Sequence, residues 1–189
     1  MACEIVRNGG VIAYPTDSCY GIGCHIGDKD ALERLRRIRG IGVNHHLTLL
    51  CRDLAEVGTF ARLDNAQYRV IKGATPGSFT FILQASREVP RRLLHERRKT
   101  IGVRVPEHRI AHALLEELNE PLLSATLSLP GDDAPMSDAE TIRERLEHEL
   151  DLIVDGGPCG IEPTTVIDLT TDTPQLIREG RGPLSAVGL

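Results

Sequence analysis

Aromatic residues and paired cysteines are scarce in this chain of 189 residues, and both absences narrow its function. Tryptophan is absent and aromatic residues make up 3% of the sequence, so we do not expect recognition of nucleic acid by stacking of bases on exposed rings. The five cysteines include no Cys-x-x-Cys pair, which argues against a disulfide framework and a structural zinc site. No apolar run is long enough to cross a bilayer.

The amino-terminal segment carries charges and lacks the apolar core of a signal peptide. Hydrophobic residues make up 41% of the chain, and the length suits one domain over residues 1–189. We therefore expect a cytoplasmic protein with no membrane segment. The net charge of −5 argues against a general affinity for polyanions, although arginines cluster in two segments that could form a local cationic surface.

Several catalytic motifs are missing as well. The chain has no Walker A motif, no G-x-S-x-G, no H-E-x-x-H and no G-x-G-x-x-G after a strand. No set of nucleophile, base and orienting residue is visible in the sequence. If the protein is an enzyme, we expect it to act by positioning substrates and neutralising charge rather than through a covalent intermediate.

Apolar periodicity predicts a mixture of strands and helices. Short apolar or alternating runs predict strands near residues 11–14, 21–25, 47–51, 79–83, 101–105, 122–126, 152–154, 165–169 and 176–178. Helical spacing and capping residues predict helices over 2–8, 28–39, 64–73, 108–118 and 138–149, and a short one after Asp53. Because the two do not alternate strictly, we expect a single α/β or α+β sheet with some antiparallel strands, and a loop over 130–137.

The most informative segment is residues 10–24, GVIAYPTDSCYGIGC. An apolar run stops at Pro15, a polar turn containing Thr16 and Asp17 follows, and a second strand then starts. Such a turn collects hydroxyls and free backbone N–H groups at the edge of a sheet, where a phosphorylated or carboxylated small molecule can be held. Cys19 lies in this turn and could be a reactive thiol, but a small buried residue is the favoured interpretation.

Arginines and hydroxyls recur at the ends of the predicted elements. Arg37 and Arg39 end a helix before a glycine-rich loop, where planar guanidinium groups suit phosphate binding; the alternative is a solvated helix face with Arg37 paired to Glu33. Arg104 lies in a strand predicted to be half-buried, so it needs a phosphate or an internal acidic partner. The other candidates at strand ends are Thr126, Ser128, Thr164, Thr165 and Arg178. Together these residues suit a cleft for a polar ligand.

Two pairs of histidines could suggest metal binding or proton transfer. His45 and His46 are adjacent, and adjacent side chains on a strand point in opposite directions, so we do not expect joint chelation. His108 and His112 are four residues apart on a predicted helix, but the residues between them lack the glutamate of a zinc protease motif. We expect the second pair to be structural.

Five segments, in this order, resemble the signature of the YrdC/YciO family, and most closely its YciO branch. They are YPTDSCYGIGC at 14–24, PGSFT at 76–80, IGVRVP at 101–106, PTTVIDL at 163–169 and IREG at 177–180. Each segment alone is a weak signal, whereas the ordered set is specific. The resemblance extends from about residue 2 to residue 180.

The resemblance implies a single twisted sheet flanked by helices, with a concave, positively charged face. Characterised members of the family make threonylcarbamoyl-adenylate from threonine, bicarbonate and ATP for tRNA modification, and members have been described as binding double-stranded RNA. The similarity implies that Thr16 and Tyr20 lie at a threonine-binding turn and that Mg²⁺ arrives with the triphosphate. It also implies that Thr80 and Arg104 contact a carboxylate or phosphate. The pocket would be completed by Thr164, Thr165 and Arg178.

Three departures from the family pattern bear on activity. The family's K-x-R is Arg37-Ile38-Arg39 here, the following turn lacks prolines and runs into His45-His46-Leu47, and S-x-N becomes Thr126-Leu127-Ser128. Loss of an amide donor from a polar site costs roughly 1–3 kcal/mol, or roughly ten- to a hundred-fold in rate. We therefore expect a YciO-type relative that binds nucleotide, and threonine with it, and has weak or altered synthase activity.

Two alternatives stay open. The first is a module that binds double-stranded RNA or tRNA without synthase activity. It would contact phosphates and helical shape, with a steep dependence on salt. The second is an enzyme that keeps the adenylate chemistry but carbamoylates an amine other than threonine.

Overall fold

The structure, a computed structural model, describes residues 1–43 and 45–189. Nine strands occur in these ranges: β1 (Ile12–Tyr14), β2 (Gly21–His25), β3 (Thr48–Leu50), β4 (Phe79–Gln84), β5 (Thr100–Arg104), β6 (Leu122–Thr126), β7 (Leu152–Ile153), β8 (Thr165–Asp168) and β9 (Gln175–Arg178). They form one sheet in the order β7-β1-β2-β6-β3-β5-β4-β8-β9. The pairs β1–β7, β3–β5 and β4–β8 are parallel and the others are antiparallel. The predicted mixed sheet is confirmed.

Six α-helices accompany the sheet: α1 (Ala2–Arg7), α2 (Lys29–Arg39), α3 (Leu54–Phe60), α4 (Asn65–Ala74), α5 (Arg109–Leu118) and α6 (Ala139–Leu146). The start of α2 is set by Asp28, whose carboxylate accepts a hydrogen bond from the N–H of Ala31 at 2.8 Å. It ends at Gly40, which adopts a left-handed conformation with φ of 62°. None of these six helices is long and apolar enough to span a membrane.

Two details differ from the sequence prediction. Helix α6 ends at Leu146 rather than near residue 149, because the chain turns there and the N–H of Glu149 donates to the carbonyl of Leu146. Short 3₁₀ turns at Arg91–Leu93 and Leu184–Val187 were not expected.

One face of the sheet carries the main hydrophobic core. Side chains alternate along each strand, so every second residue points to the same face. Leu49, Phe81, Val103 and Leu123 are fully buried on this face. They pack in one cluster with apolar residues of α2, α3, α4 and α6.

The opposite face is divided into two parts. At one end Tyr14, Leu50 and Leu122 pack against α1 and α5 in a second hydrophobic cluster. The remainder of this face lines a cleft, and its floor consists of Thr48, Thr80, Ile82, Gly102 and Val166. The alternation of side chains thus places a polar ligand-sized space directly on the sheet.

Strand β5 is buried on both faces, contrary to the prediction that it is half-buried. Val103 is fully buried, and even Arg104 is only 8% exposed. The strand lies between β3 and β4 near the centre of the sheet, and the polar turn after β1 reaches Arg104. Arg104 is therefore removed from most water and needs an internal partner.

Truncation of Leu49 tests the assignment of the main core. Leu49→Ala should lower the free energy of unfolding by about 2–5 kcal/mol, because the lost side chain leaves a cavity between the sheet and the helices. Leu176→Ala is the matched control: Leu176 lies on the edge strand β9 and is 42% exposed, so the loss should be less than about 1 kcal/mol. Urea denaturation measures both, and equal losses would contradict the assignment.

Candidate functional site

The cleft on the open part of the sheet has a volume of about 690 Å³. Gly102 keeps its floor low. A Cβ atom at this position would lie 2.9 Å from the hydroxyl of Thr48 and 3.0 Å from the backbone carbonyl of Leu47. Glycine is therefore the residue that fits this point of the floor without displacing its neighbours.

A smaller pocket of about 30 Å³, the inner pocket, adjoins the cleft. The two spaces share Thr48, Thr80, Ala125, Thr126 and Thr164 as lining residues. The polar turn after β1 forms one wall of the inner pocket, and Arg104 and Ser124 lie on the sheet side. The arrangement is one continuous site with a narrow end and a wide end.

Hydrogen bonds within the polar turn fix the wall of the inner pocket. The hydroxyl of Thr16 donates to the carbonyl of Cys19 at 2.7 Å and accepts from the N–H groups of Ser18 and Cys19. Tyr20 contributes to the lining of the inner pocket, but its side chain is fully buried in the main core, where the hydroxyl donates to the carbonyl of Gly157 at 2.9 Å. Both predicted residues line the inner pocket and shape it.

Arg104 has an internal acidic partner. Its Nη2 donates to Oδ1 of Asp17 at 2.6 Å and to the hydroxyl of Thr16 at 3.3 Å. The carboxylate of Asp17 also accepts from the hydroxyl of Ser78 at 2.5 Å and from the N–H of Glu107 at 3.2 Å. Burial raises the pKa of Asp17, but the charge of Arg104 and the hydrogen bond from Ser78 outweigh burial and hold this pKa below its usual value. Of the two partners considered for Arg104, a phosphate or an internal acidic residue, the structure shows the internal acidic residue.

Two other arginines line the cleft, and neither forms an ion pair within residues 1–43 and 45–189. Arg39 donates through Nη1 to the backbone carbonyl of Ser128 and, at 2.8 Å, to its hydroxyl. Arg178 donates through Nε and Nη2 to the carbonyl of Thr164 at 3.2 and 2.8 Å. Neutral acceptors orient both guanidinium groups.

Asp132 and Asp133 also line the cleft. The charge of Asp132 acts on Arg39, but Asp132 is paired with Arg145. In the described part of the chain neither carboxylate forms an ion pair with Arg39 or Arg178.

Hydroxyl groups lie at the junction of the two spaces. The hydroxyls of Thr80 and Thr164 are hydrogen-bonded at 2.9 Å. Thr126 lies at the end of β6 and borders both spaces, and Ser128 lines the cleft beyond it. These groups can donate to an anionic ligand that extends from the inner pocket towards Arg39 and Arg178.

Two of the predicted site residues line neither the cleft nor the inner pocket. The side chain of Arg37 is 69% exposed and pairs with Glu149 at 3.0 Å. The predicted pair of Arg37 with Glu33 is wrong, because Glu33 bonds to Arg36 instead, at 3.2 Å. Thr165 is fully buried on the core side of β8, where its hydroxyl donates to a backbone carbonyl in the segment after β9. Adjacent residues point to opposite faces, so Thr164 lines the cleft and Thr165 cannot.

Most arginines of the two clusters form ion pairs or hydrogen bonds within the protein. Arg34 pairs with Asp151 at 2.7 Å, and Arg98 pairs with Asp168 at 2.6 Å. Arg92 donates to backbone carbonyls of the turn after β2. The cationic surface is therefore narrower than the clustering of arginines in the sequence indicated.

The sequence prediction did not assign His45 and His46 to the cleft, yet both line it. The ring of His46 stacks on that of His95, with centroids 4.7 Å apart and 22° between the planes. Burial lowers the pKa of His45, and the charges of Arg39 and Arg178 lower it further. Both arginines therefore act on the same small region. The signal in the sequence was the closeness of the histidine pair to Arg39.

Three further sequence predictions concern the loop over 130–137, Cys19 and His112. Residues 132–135 of the predicted loop line the cleft, with Asp132 paired to Arg145 at 3.0 Å. Cys19 lines the inner pocket but is only 2% exposed, and burial raises the pKa of its thiol, which supports the buried interpretation. His112 does not line the cleft and lies 3.4 Å from Glu116 on the same helix.

The sequence model of the Sua5/YciO/YrdC family, described as telomere recombination, matches residues 4–180. The chain belongs to this family. YciO of Escherichia coli K12 is 58% identical over 182 residues, which are 96% of this chain and 88% of that protein. The crystal structure of E. coli YciO has a TM-score of 0.95 at 56% identity and covers 98% of this chain and 90% of its own. The predicted family and the predicted sheet with flanking helices are confirmed.

A more distant member of the Sua5/YciO/YrdC family carries the name of an enzyme. Threonylcarbamoyl-AMP synthase of Pyrococcus abyssi is 30% identical over 190 residues, which are 99% of this chain and 55% of the synthase. The structure of P. abyssi Sua5 complexed with L-threonine has a TM-score of 0.90 at 28% identity, over 99% of this chain and 56% of its own. This chain is thus related to a synthase and spans about half of its length.

Removal of the Asp17 carboxylate tests the charge balance of the inner pocket. Asp17→Asn should lower the free energy of unfolding at pH 7 by about 3 kcal/mol, because Arg104 is left buried without its counter-charge. The pKa of Asp17 is lower in the folded state, so the pair stabilises the fold above about pH 4 and this stabilisation is lost as the pH falls further. The acid side of the stability curve should therefore be shallower in the variant.

Glu149→Gln is the control, because it removes the carboxylate that pairs with the exposed Arg37 and should cost less than about 1 kcal/mol. Urea denaturation at a series of pH values measures all three proteins. An acid limb of unchanged slope in Asp17→Asn would contradict the assignment.

Proposed function

We propose that this protein binds ATP in the cleft and combines it with threonine and bicarbonate to form threonylcarbamoyl-AMP, with weak or altered activity. The observation that carries this proposal is the presence of Arg39 and Arg178, oriented but without ion-pair partners in the described chain, in one cleft. A polyphosphate supplies the missing negative charge, and guanidinium groups match its geometry. The relationship to a threonylcarbamoyl-AMP synthase supports the choice of reaction.

The proposed reaction needs no nucleophile from the protein. The amine of threonine attacks bicarbonate to give a carbamate and water. A carbamate oxygen then attacks the α-phosphate of ATP, and pyrophosphate leaves. Both nucleophiles belong to substrates, so the chain contributes position and charge neutralisation. The triphosphate would carry Mg²⁺ with it, as part of the substrate.

The charged side chains of the two spaces favour different substrates. The inner pocket, at about 30 Å³, is too small to enclose an amino acid, so the amino acid would lie at its mouth. There Asp17 already balances Arg104, which suits a zwitterion better than a phosphate. In the cleft Arg39 and Arg178 favour the polyphosphate. The hydroxyls at the junction lie where the carbamate and the α-phosphate would meet.

The same geometry supports reduced activity. Of the two arginines that correspond to the family's K-x-R, only Arg39 lines the cleft, and Arg37 is paired with Glu149 outside it. Arg39 also uses one of its N–H donors in a hydrogen bond to Ser128, at a position where the family pattern has an amide side chain. Fewer free donors are then available to the phosphates.

The two alternatives stay predictions. Binding of double-stranded RNA or tRNA would need an extended cationic surface, whereas Arg34 and Arg98 already form ion pairs with Asp151 and Asp168. Carbamoylation of a different amine would use the same cleft and change only the occupant of the inner pocket. ATP–pyrophosphate exchange measured across amino acids distinguishes that alternative from the threonine reaction.

Charge removal in the cleft tests the proposal. Isothermal calorimetry should show binding of Mg-ATP to the wild type, and Arg39→Ala and Arg178→Ala should each weaken it at least about ten-fold, since each removes a charged donor. Arg37→Ala is the matched control and should leave the affinity unchanged, because Arg37 lies outside the cleft. Formation of labelled product from radioactive threonine or bicarbonate measures turnover. The proposal fails if the wild type shows neither ATP binding nor product.

A further inference from the structure

A histidine that lines the cleft stacks on a second histidine, which is absent from the cleft lining. His46 lines the cleft, and its stacking on His95 fixes the plane of the ring. The backbone N–H of His95 donates to the carbonyl of Thr100 at 3.0 Å, and Nδ1 of its ring accepts from the backbone N–H of Arg98 at 3.3 Å. Within the described residues, the only aromatic rings that line this cleft belong to His45 and His46.

The residues of β3 and β5 show how the inner pocket and the cleft follow each other along the strands. Along β3 and the residues before it, Leu50 lines the inner pocket alone, Thr48 lines both spaces, and His46 lines the cleft alone. Along β5, Arg104 lines the inner pocket and Gly102 the cleft. At about 3.3 Å per residue, His46 lies roughly 13 Å from Leu50 along the chain. The histidine pair therefore marks the end of the site that is remote from the inner pocket.

The ring of His46 suits contact with an uncharged planar group. Burial lowers its pKa, and the electrostatic effects of His95, Arg98 and His45 lower it further; Asp168 acts in the opposite direction but is paired with Arg98. The ring is therefore neutral near pH 7. Ile82 and Val166 on the floor of the cleft add apolar surface next to the polar groups.

We propose that the base of the bound nucleotide stacks on the ring of His46, supported from behind by His95. This inference rests on the proposed function, because it takes the ligand of the cleft to be a nucleotide. The order of groups in the adenylate is amino acid, carbamoyl, phosphate, ribose and base. With the amino acid at the mouth of the inner pocket and the phosphates at Arg39 and Arg178, the base reaches the far end of the cleft. His46 is then a specificity-determining residue, which makes binding depend on the base as well as on the phosphates.

A comparison of two ligands isolates the contribution of the base. Isothermal calorimetry would be run with ATP and with inorganic tripolyphosphate, which has the phosphate chain but no base. The wild type should bind ATP more tightly than tripolyphosphate. His46→Ala should weaken ATP binding about ten-fold and leave tripolyphosphate binding unchanged. His46→Phe should restore most of the affinity for ATP, because a flat ring returns to the same position.

His148→Ala is the control, since His148 is an exposed histidine near the end of α6 and does not line the cleft. Circular dichroism of each variant checks that the fold is retained. Equal loss of both ligands in His46→Ala, or no loss of either, overturns the stacking proposal, and so does a wild type that binds tripolyphosphate as tightly as ATP. A wild type that binds neither ligand overturns the proposed function itself, which keeps the two failures distinct.

Discussion

The structure of the site depends on how three buried or partly buried guanidinium charges are balanced. Arg104 is neutralised by Asp17, whose carboxylate is itself held by Ser78. Arg39 and Arg178 are oriented by carbonyl and hydroxyl oxygens, and no ion pair compensates them in the described chain. A charge held in place by neutral acceptors retains most of its attraction for an anion, because no counter-charge has to be displaced first. This difference divides the site into an inner pocket, where the arginine is paired with a carboxylate, and a cleft, where two arginines have no ion-pair partner in the described chain.

The fold creates this division through the alternation of side chains. One face of the sheet is filled by the main core, and the other is only partly covered by α1 and α5. On the uncovered part, Thr48 and Thr80 lie beside the apolar Ile82 and Val166, and Gly102 keeps the floor open. The turn after β1 then folds over Arg104 and closes the narrow end. Relatedness to a synthase within the Sua5/YciO/YrdC family fits a chain that positions substrates rather than attacking them.

Local pattern predicted the strands, the mixed sheet and the caps of α2, because period and capping residues act over a few positions. It also predicted that a buried Arg104 needs an anionic partner, but not which one: Asp17 is 87 residues away in the chain. The predicted pairing of Arg37 with Glu33 was wrong because its partner, Glu149, comes from a distant segment. The stacking of His46 on His95 likewise joins segments that only the tertiary fold brings together. These contacts join residues that are far apart in the sequence, so local patterns could not predict them.

A crystal structure of the protein with ATP and threonine would show where the phosphates bind. We expect the triphosphate to contact the guanidinium groups of Arg39 and Arg178, and the amino acid to lie at the mouth of the inner pocket beside the Asp17–Arg104 pair. A triphosphate bound elsewhere on the molecule, or phosphate oxygens that displace Asp17 from Arg104 in the inner pocket, would contradict this expectation.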